Sequence, residues 1–298
     1  MSEALHRVGL VAIVGRPNVG KSTLLNHLVG QKISITSRKP QTTRQRITGI
    51  LTRPDAQLVF VDTPGFQTEH RTALTRLMNR SVRQALQEVD LVLWVIEAHK
   101  VDARDEALLK LLPAIVPVLL VINKVDRVKD KRALLPLISK MAERHAFAAV
   151  VPISAEHDKK LDPLVNEMVR LLPEGPSMYG ADEVTTLSER FLAAELVREK
   201  LFRLLGDELP YATAVEIERF ETVGELRRIH VAILVDKASQ KAIIIGKAGE
   251  KLKAIGTQAR KDMEKLFGGK IFVETWVRVR SGWADDERVL KRMGYDER

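Results

Sequence analysis

Gly15-Arg16-Pro17-Asn18-Val19-Gly20-Lys21-Ser22 follows the apolar run Val8 to Val14 and precedes Thr23-Leu24-Leu25-Asn26, which reads as helical. The pattern is G-x-x-x-x-G-K-[ST], placed where a buried strand turns into a helix whose first backbone N–H groups lack intrahelical partners. That geometry holds polyphosphate. Glycine at 15 and 20 lets the backbone curl close to an anion, Lys21 is suited to the β and γ phosphates, and the Ser22 hydroxyl is suited to Mg²⁺.

Outward from the loop, strand-like apolar runs recur at Val8 to Val14, Leu58 to Val61, Leu91 to Ile96, Val116 to Ile122 and Val150 to Ile153, with helical periodicity between them. This alternation predicts an α/β domain, a mostly parallel sheet with helices on both faces, whose ligands sit at the carboxyl ends of the strands. Further motifs fall at those ends. The basic stretch 38–46 reads as a loop in which a threonine hydroxyl, Thr43 in preference to Thr42, joins the Mg²⁺ shell while a γ phosphate is present. Asp62-Thr63-Pro64-Gly65 closes the next strand, with Asp62 on Mg²⁺ through water and the Gly65 N–H on the γ phosphate. Asn123-Lys124-Val125-Asp126 follows Val116 to Ile122, and a carboxylate at 126 accepts from the two donors that guanine has together and adenine lacks. Ser154-Ala155-Glu156 offers the Ala155 N–H to guanine O6.

The chain has 298 residues, 45% apolar and 29% charged, enough for about two domains with their own cores. It has no cysteine, which excludes disulfides, thiolate metal sites and cysteine nucleophiles and fits a cytoplasmic protein. No signal peptide or membrane-spanning run is visible. The net charge of +9 predicts a polyanionic partner. From Lys237 to Lys270 nine basic residues face three acidic ones, so the charge is concentrated in the second half.

Pro173 to Gly180 holds two prolines and two glycines in eight residues and interrupts the periodicity. The division read here is a first domain over 1–172, a linker over 173–186, a second domain over 187–280 and a tail helix over 281–298. In the second domain a helix is read at Leu187 to Leu205, strands at Ala212 to Phe220 and Ile229 to Val235, a helix at 250–267 and a strand at 270–279. By composition, Ala242 to Ile245 reads as a strand, because three isoleucines favour one.

In this order, GRPNVGKS, QTTR, DTPG, NKVD and SAE resemble the five signature motifs of the translation-factor-related GTPases. The resemblance assigns Gly15, Arg16, Pro17, Asn18, Val19, Gly20, Lys21, Ser22 and Thr23 to the phosphates, with Lys21, Thr43 and Gly65 as the groups closest to the chemistry. It assigns Asp62, Thr63, Pro64 and Gly65 to the second switch, and Asn123, Lys124, Asp126, Ser154 and Ala155 to guanine. Phe66 stands where Ras-like members have the glutamine that orients water, which implies slow intrinsic hydrolysis or a water held by another group. Asn18 matches relatives in which that asparagine helps bind K⁺ beside the phosphates.

Ala242 to Ile255 resembles the I-I-G-x-x-G core of a KH domain, in which the isoleucines end a short helix and Gly246-Lys247-Ala248-Gly249 faces nucleic-acid backbone. The RNA-facing set is then Ile245, Gly246, Lys247, Ala248, Gly249, Lys251 and Lys253. Trp283 is expected either to stack on a base or to pack the tail. The order of elements is that of a type II KH domain. Together with E-R-F-L-A-A-E (189–195) and S-G-W-A-D-D-E-R (281–288), the chain resembles the Era-like GTPases end to end.

That resemblance implies a GTP/GDP switch with Mg²⁺, binding 16S ribosomal RNA near its 3′ end and assisting assembly of the 30S subunit. It implies a cytoplasmic monomer with peripheral association at the inner membrane. Three rivals are an adenosine-nucleotide enzyme, which would lack Asp126, an RNA-binding module with a weakly hydrolysing nucleotide site, and a tRNA-modification GTPase, which normally carries a C-terminal cysteine.

Overall fold

The structure is a computed structural model and describes residues 6–37, 39, 42–66, 73–158, 160–206, 208–286, 288 and 290. The residues fall into two compact units, one of 1–34, 43–70 and 78–186, the other of 35–42, 71–77 and 187–298.

In the first unit the apolar runs form β1 (Arg7–Val14), β3 (Ala56–Asp62), β4 (Leu91–Glu97), β5 (Val118–Asn123) and β6 (Ala149–Pro152). Between them lie α1 (Lys21–Val29), α2 (Ala73–Gln87, from Met78 in this unit), α3 (Ala103–Leu109), α4 (Leu134–Ala142) and α5 (Asp162–Leu171). The sheet order is β2-β3-β1-β4-β5-β6, where β2 (Ile47–Thr52) pairs antiparallel with β3 and every other pairing is parallel. Every residue of β3, β4 and β5 is buried, as expected for central strands covered on both faces.

β2 is the strand that composition does not announce. Its centre is Gly49, which weakens a strand signal. A Cβ there would lie 2.7 Å from Leu25 and 2.8 Å from Ile33 and Val29, so the glycine lets α1 and the chain after it lie close on the sheet. The stretch 173–186, read as a linker, is bonded to this unit: Val8 N donates to Pro173 O, Ile50 N to Val184 O, and the Gln57 carboxamide oxygen accepts from Met178 N and Tyr179 N.

In the second unit α6 (Glu189–Leu204) precedes a hairpin of β7 (Thr213–Val223) and β8 (Leu226–Val235), then α7 (Ala238–Ile245), α8 (Glu250–Phe267) and β9 (Lys270–Val279), which pairs parallel with β8. The sheet order is β7-β8-β9. Both hairpin strands run longer than their alternation suggested, meeting at a two-residue turn with Gly224 at φ 61°. The core lies between one face of this sheet and the helices: Ile229, Val231, Ile233 and Val235 of β8 meet Leu196 and Leu201 of α6 and Ile255, Ala259 and Met263 of α8.

The isoleucine run does not form the strand its composition favours. It ends α7, where Ile244 is fully buried in this core, so packing overrides intrinsic preference. No helix among the described residues is long and apolar enough to cross a membrane. Of the expected tail helix, Glu287, Val289 and everything from Lys291 lie outside the described residues.

Trp283 must be reassigned. It is 1% exposed and its Nε1 donates to the carbonyl of Ala212 at 3.2 Å, so no ring face is free for a base and the residue packs the tail onto its own unit. Trp283→Ala is expected to cost about 3–5 kcal/mol of that unit's stability, by loss of buried area and the cavity left behind, read as a lowered denaturation midpoint.

Candidate active site

The loop Gly15 to Ser22 joins β1 to α1 at the carboxyl end of the sheet. Its course requires left-handed backbone at Gly20 (φ 102°) and at the exposed Asn18 (φ 66°). A Cβ on Gly20 would lie 2.3 Å from Nδ2 of Asn123, so any side chain there would have to displace that amide. The amide of Asn123 explains the crowding: it donates to Val19 O at 2.7 Å, while its oxygen accepts from Lys124 N at 2.8 Å and Ala155 N at 2.9 Å. The Ala155 N–H, expected on guanine O6, is thus directed at Asn123 in this structure.

Lys21 folds back over the loop, its ammonium donating to Gly15 O at 3.0 Å and Arg16 O at 3.1 Å. Burial, partly opposed by Asp62, lowers its pKa to about 8. Burial likewise raises Asp62 to about 6, against the pull of Lys21, Ser22 and Ser34. Enclosing each group thus opposes its charged form.

Ser22, Thr43 and Asp62 come from three separate motifs and meet here. Ser22 Oγ donates to Asp62 Oδ2 at 2.8 Å and lies 2.7 Å from Thr43 Oγ1. Asp62 Oδ1 is buried with no hydrogen-bond partner. Three hard oxygens and an unsatisfied carboxylate oxygen fit a small divalent cation such as Mg²⁺. Thr42 is placed differently, its hydroxyl donating to Lys39 O at 2.7 Å and its carbonyl accepting from Arg198. Of the first switch, Arg38, Pro40 and Gln41 lie outside the described residues.

The remaining motif residues are those expected at the second switch and the base. Thr63 Oγ1 donates to Ile13 O at 2.9 Å, fixing the chain after β3 to β1. Gly65 passes so close to Pro17 that a Cβ would lie 2.8 Å from its backbone nitrogen. Phe66 is 7% exposed and packs with Ala12, Val14, Val82 and Leu86, so its ring is a core element rather than a group that orients water. Asp126 is exposed and held by Ser154 Oγ at 2.6 Å, the main reason its carboxylate stays below the usual value.

Motif reading missed Glu97 and Asp105. Arg16, expected near the phosphates, is 4% exposed and points its guanidinium away from the loop: Nε donates to Asp105 at 3.0 Å, and Nη2 donates to Glu97 at 2.9 Å and to Lys100 O at 2.8 Å. The other oxygen of Glu97 takes Lys124 Nζ at 3.1 Å, and that same ammonium reaches Asn18 O at 2.7 Å. Lys124 and Arg16 outweigh burial and keep Glu97 below its ordinary pKa, whereas burial raises Asp105. The sequence signal was present as a carboxylate ending the otherwise apolar β4.

In the second unit, the turn between α7 and α8 has Gly246 at φ 73°, Ala248 at φ 50° and Gly249 at φ 80°. Lys247, Ala248 and Lys253 are exposed, while Ile245, Gly246, Gly249 and Lys251 are half-buried. A Cβ on Gly246 would meet Cβ of Lys251 at 2.8 Å, so this glycine lets the turn close against the first turn of α8.

The profile of the 50S ribosome-binding GTPase family matches residues 10–124, and that of the KH domain matches residues 208–284. GTPase Era of Nitrosomonas eutropha is 57% identical over 99% of this chain and 100% of its own length; GTPase Era of Chromobacterium violaceum is 56% identical over the same shares. The chain belongs to the Era GTPase family. Two solved Era structures are similar to it at 40% identity over 97% of this chain and 99% of theirs. One is a tyrosine-to-alanine variant from Aquifex aeolicus bound to GDP·AlF₄⁻, with a TM-score of 0.93. The other is an Era in complex with MgGDPNP and nucleotides 1506–1542 of 16S ribosomal RNA, with a TM-score of 0.94. The protein is therefore a GTPase with a KH domain, as its motifs implied.

In this Era-family GTPase, Arg16→Ala is expected to leave the buried Asp105 without its cation and Glu97 with one of its partners gone and Lys124 remaining. A loss of about 3–5 kcal/mol should follow, larger than for loss of a surface ion pair, and a thermal melt of the nucleotide-free protein measures it.

Proposed function

We propose that this GTPase binds the 3′ end of 16S ribosomal RNA and assists assembly of the 30S subunit, with GTP setting when the RNA is held. The observation that carries the reading is the full-length similarity to an Era in complex with MgGDPNP and nucleotides 1506–1542 of that RNA. The exposed, basic Lys247 loop supports it from this chain's own surface.

Ser22 and Thr43 are assigned to Mg²⁺ directly, and Asp62 through water, on the strength of their convergence and the unsatisfied Asp62 Oδ1. Bound there, the ion would supply charge neutralisation between the β and γ phosphates. The protein's own groups position the phosphates: the backbone of Gly15 to Thr23 cradles them and Lys21 exchanges loop carbonyls for phosphate oxygens. The Gly65 N–H is assigned to the γ phosphate, beside Thr63 and Pro64, and is held near the loop by its contact with Pro17. Asn18 is assigned to a K⁺ site beside the phosphates; turnover that rises on replacing Na⁺ by K⁺ supports that assignment, and equal turnover removes it. With Phe66 packed in the core, intrinsic hydrolysis is expected to be slow.

Asp126, oriented by Ser154, is assigned to guanine N1–H and the 2-amino group, with Asn123, Lys124 and Ala155 completing the base site. Asp126→Asn should lower GTP affinity by about tenfold or more, since a charge-assisted hydrogen-bond pair is lost, and should shift preference toward xanthosine triphosphate; unchanged GTP affinity in a competition assay defeats the assignment. Lys247→Glu should weaken binding to a 16S fragment of nucleotides 1506–1542 while leaving nucleotide affinity intact, because it places like charge beside the RNA backbone. A titration with no loss removes the loop from the interface.

A further inference from the structure

The sheet of the second unit has two faces, and the helices use one. Ile229, Val231 and Ile233 of β8 and Ile271 and Val277 of β9 lie in the core with α6 and α8. By alternation, His230 of β8 and Phe272, Glu274 and Trp276 of β9 lie on the other face. That face carries three rings in contact: the His230 ring is 6.4 Å from Phe272 and 6.1 Å from Trp276, centroid to centroid. Phe272 is 47% exposed. An aromatic residue usually contributes most by burial, so one left this open on a sheet face is a feature to explain.

The charges around the rings indicate what the face suits. Arg228 lies directly opposite Phe272 in the β8–β9 register, and Lys270 is two residues before it on the same side of β9. Both are exposed, and neither makes an ion pair among the described residues. Of the acidic groups on the face, Glu274 engages His230 Nδ1 at 3.3 Å, Glu221, opposite Arg228 in the β7–β8 register, engages Arg219 at 2.8 Å, Glu218 engages Arg278 at 2.7 Å, and Glu216 lies opposite Ala232. The two uncommitted charges beside the most exposed ring are therefore both positive.

We infer that this open sheet face, built on Phe272 and Trp276 with Arg228 and Lys270, is a second RNA-binding surface that stacks unpaired bases. Exposed rings take bases of any sequence on their π faces, and basic side chains beside them take the phosphates. Phe272 and Trp276 are four residues apart, about 13 Å along the strand, so they address two separate bases rather than one. Ala232, opposite Trp276, is fully buried, so the open part of the face lies toward Phe272, Arg228 and Lys270, with Trp276 half-buried at its border. The surface lies on the side of the sheet away from α6 and α8, whereas the Gly246 to Gly249 loop joins α7 to α8. The inference rests on the reading that this unit binds RNA and extends the contact beyond the G-x-x-G loop.

The test uses the full chain with a non-hydrolysable GTP analogue and RNA of nucleotides 1506–1542. Trp94 and Trp283 are 0% and 1% exposed, so quenching of tryptophan emission by stacked bases reports on Trp276. Addition of RNA should quench the emission, and Trp276→Phe should remove the quenching. Phe272→Ala and the double variant Arg228→Ala/Lys270→Ala should each weaken RNA binding about fivefold or more, with a shallower salt dependence only in the double variant. GTP turnover without RNA and the thermal midpoint should stay unchanged in all three. If Lys247→Glu weakens binding while these variants bind as wild type and no quenching occurs, the sheet face is overturned and the loop stands. If the sheet variants weaken binding and Lys247→Glu does not, the sheet face stands and the loop assignment falls. If none alters binding, both are overturned.

Discussion

The side-chain amide of Asn123 donates to the carbonyl of Val19 at 2.7 Å, and the first unit's site depends on that bond. It joins the end of β5 to the phosphate loop, and its oxygen also gathers Lys124 N and Ala155 N, so three motifs far apart in sequence share one buried group. The contact leaves no room for a Cβ at Gly20, which links the glycine of one motif to the asparagine of another. A nucleotide that fills such a site meets a loop already shaped, so little ordering has to be supplied by binding.

Charge is handled in the same way. Enclosing Lys21 and Asp62 shifts both toward neutrality, to about 8 and about 6, and an unsatisfied oxygen remains on Asp62. By contrast, Arg16 and Glu97 already have their partners and brace the loop from behind, which is why Arg16 does not serve the phosphates despite its place in the motif.

The second unit is organised differently. Its helices cover one face of a three-stranded sheet and leave the turn at Lys247 exposed at their ends. Thr42 and Thr43 fall in different units. Thr43 is bonded to Ser22 of the phosphate loop, while the carbonyl of Thr42 accepts from Arg198 of α6, so adjacent residues answer to different surroundings.

Much of this could be read from the residues. The apolar runs placed five of the six strands of the larger sheet, because central parallel strands need hydrophobic side chains on both faces, and the motifs fell at their ends because that is where such sheets bind ligands. What sequence could not decide were choices made by contact over distance. Gly49 hides β2 because its use is close packing against α1. The isoleucines of 243–245 favour a strand locally but form a helix because Ile244 is needed in the core. Trp283 carried equal claims to a base and to the tail until its burial under the Ala212 carbonyl decided for the tail. Residue identity fixed the chemistry available at each site, since only certain groups hold phosphate, guanine or a hard cation. Tertiary structure decided which of those groups are free to act, since burial and partners depend on neighbours the local sequence does not contain.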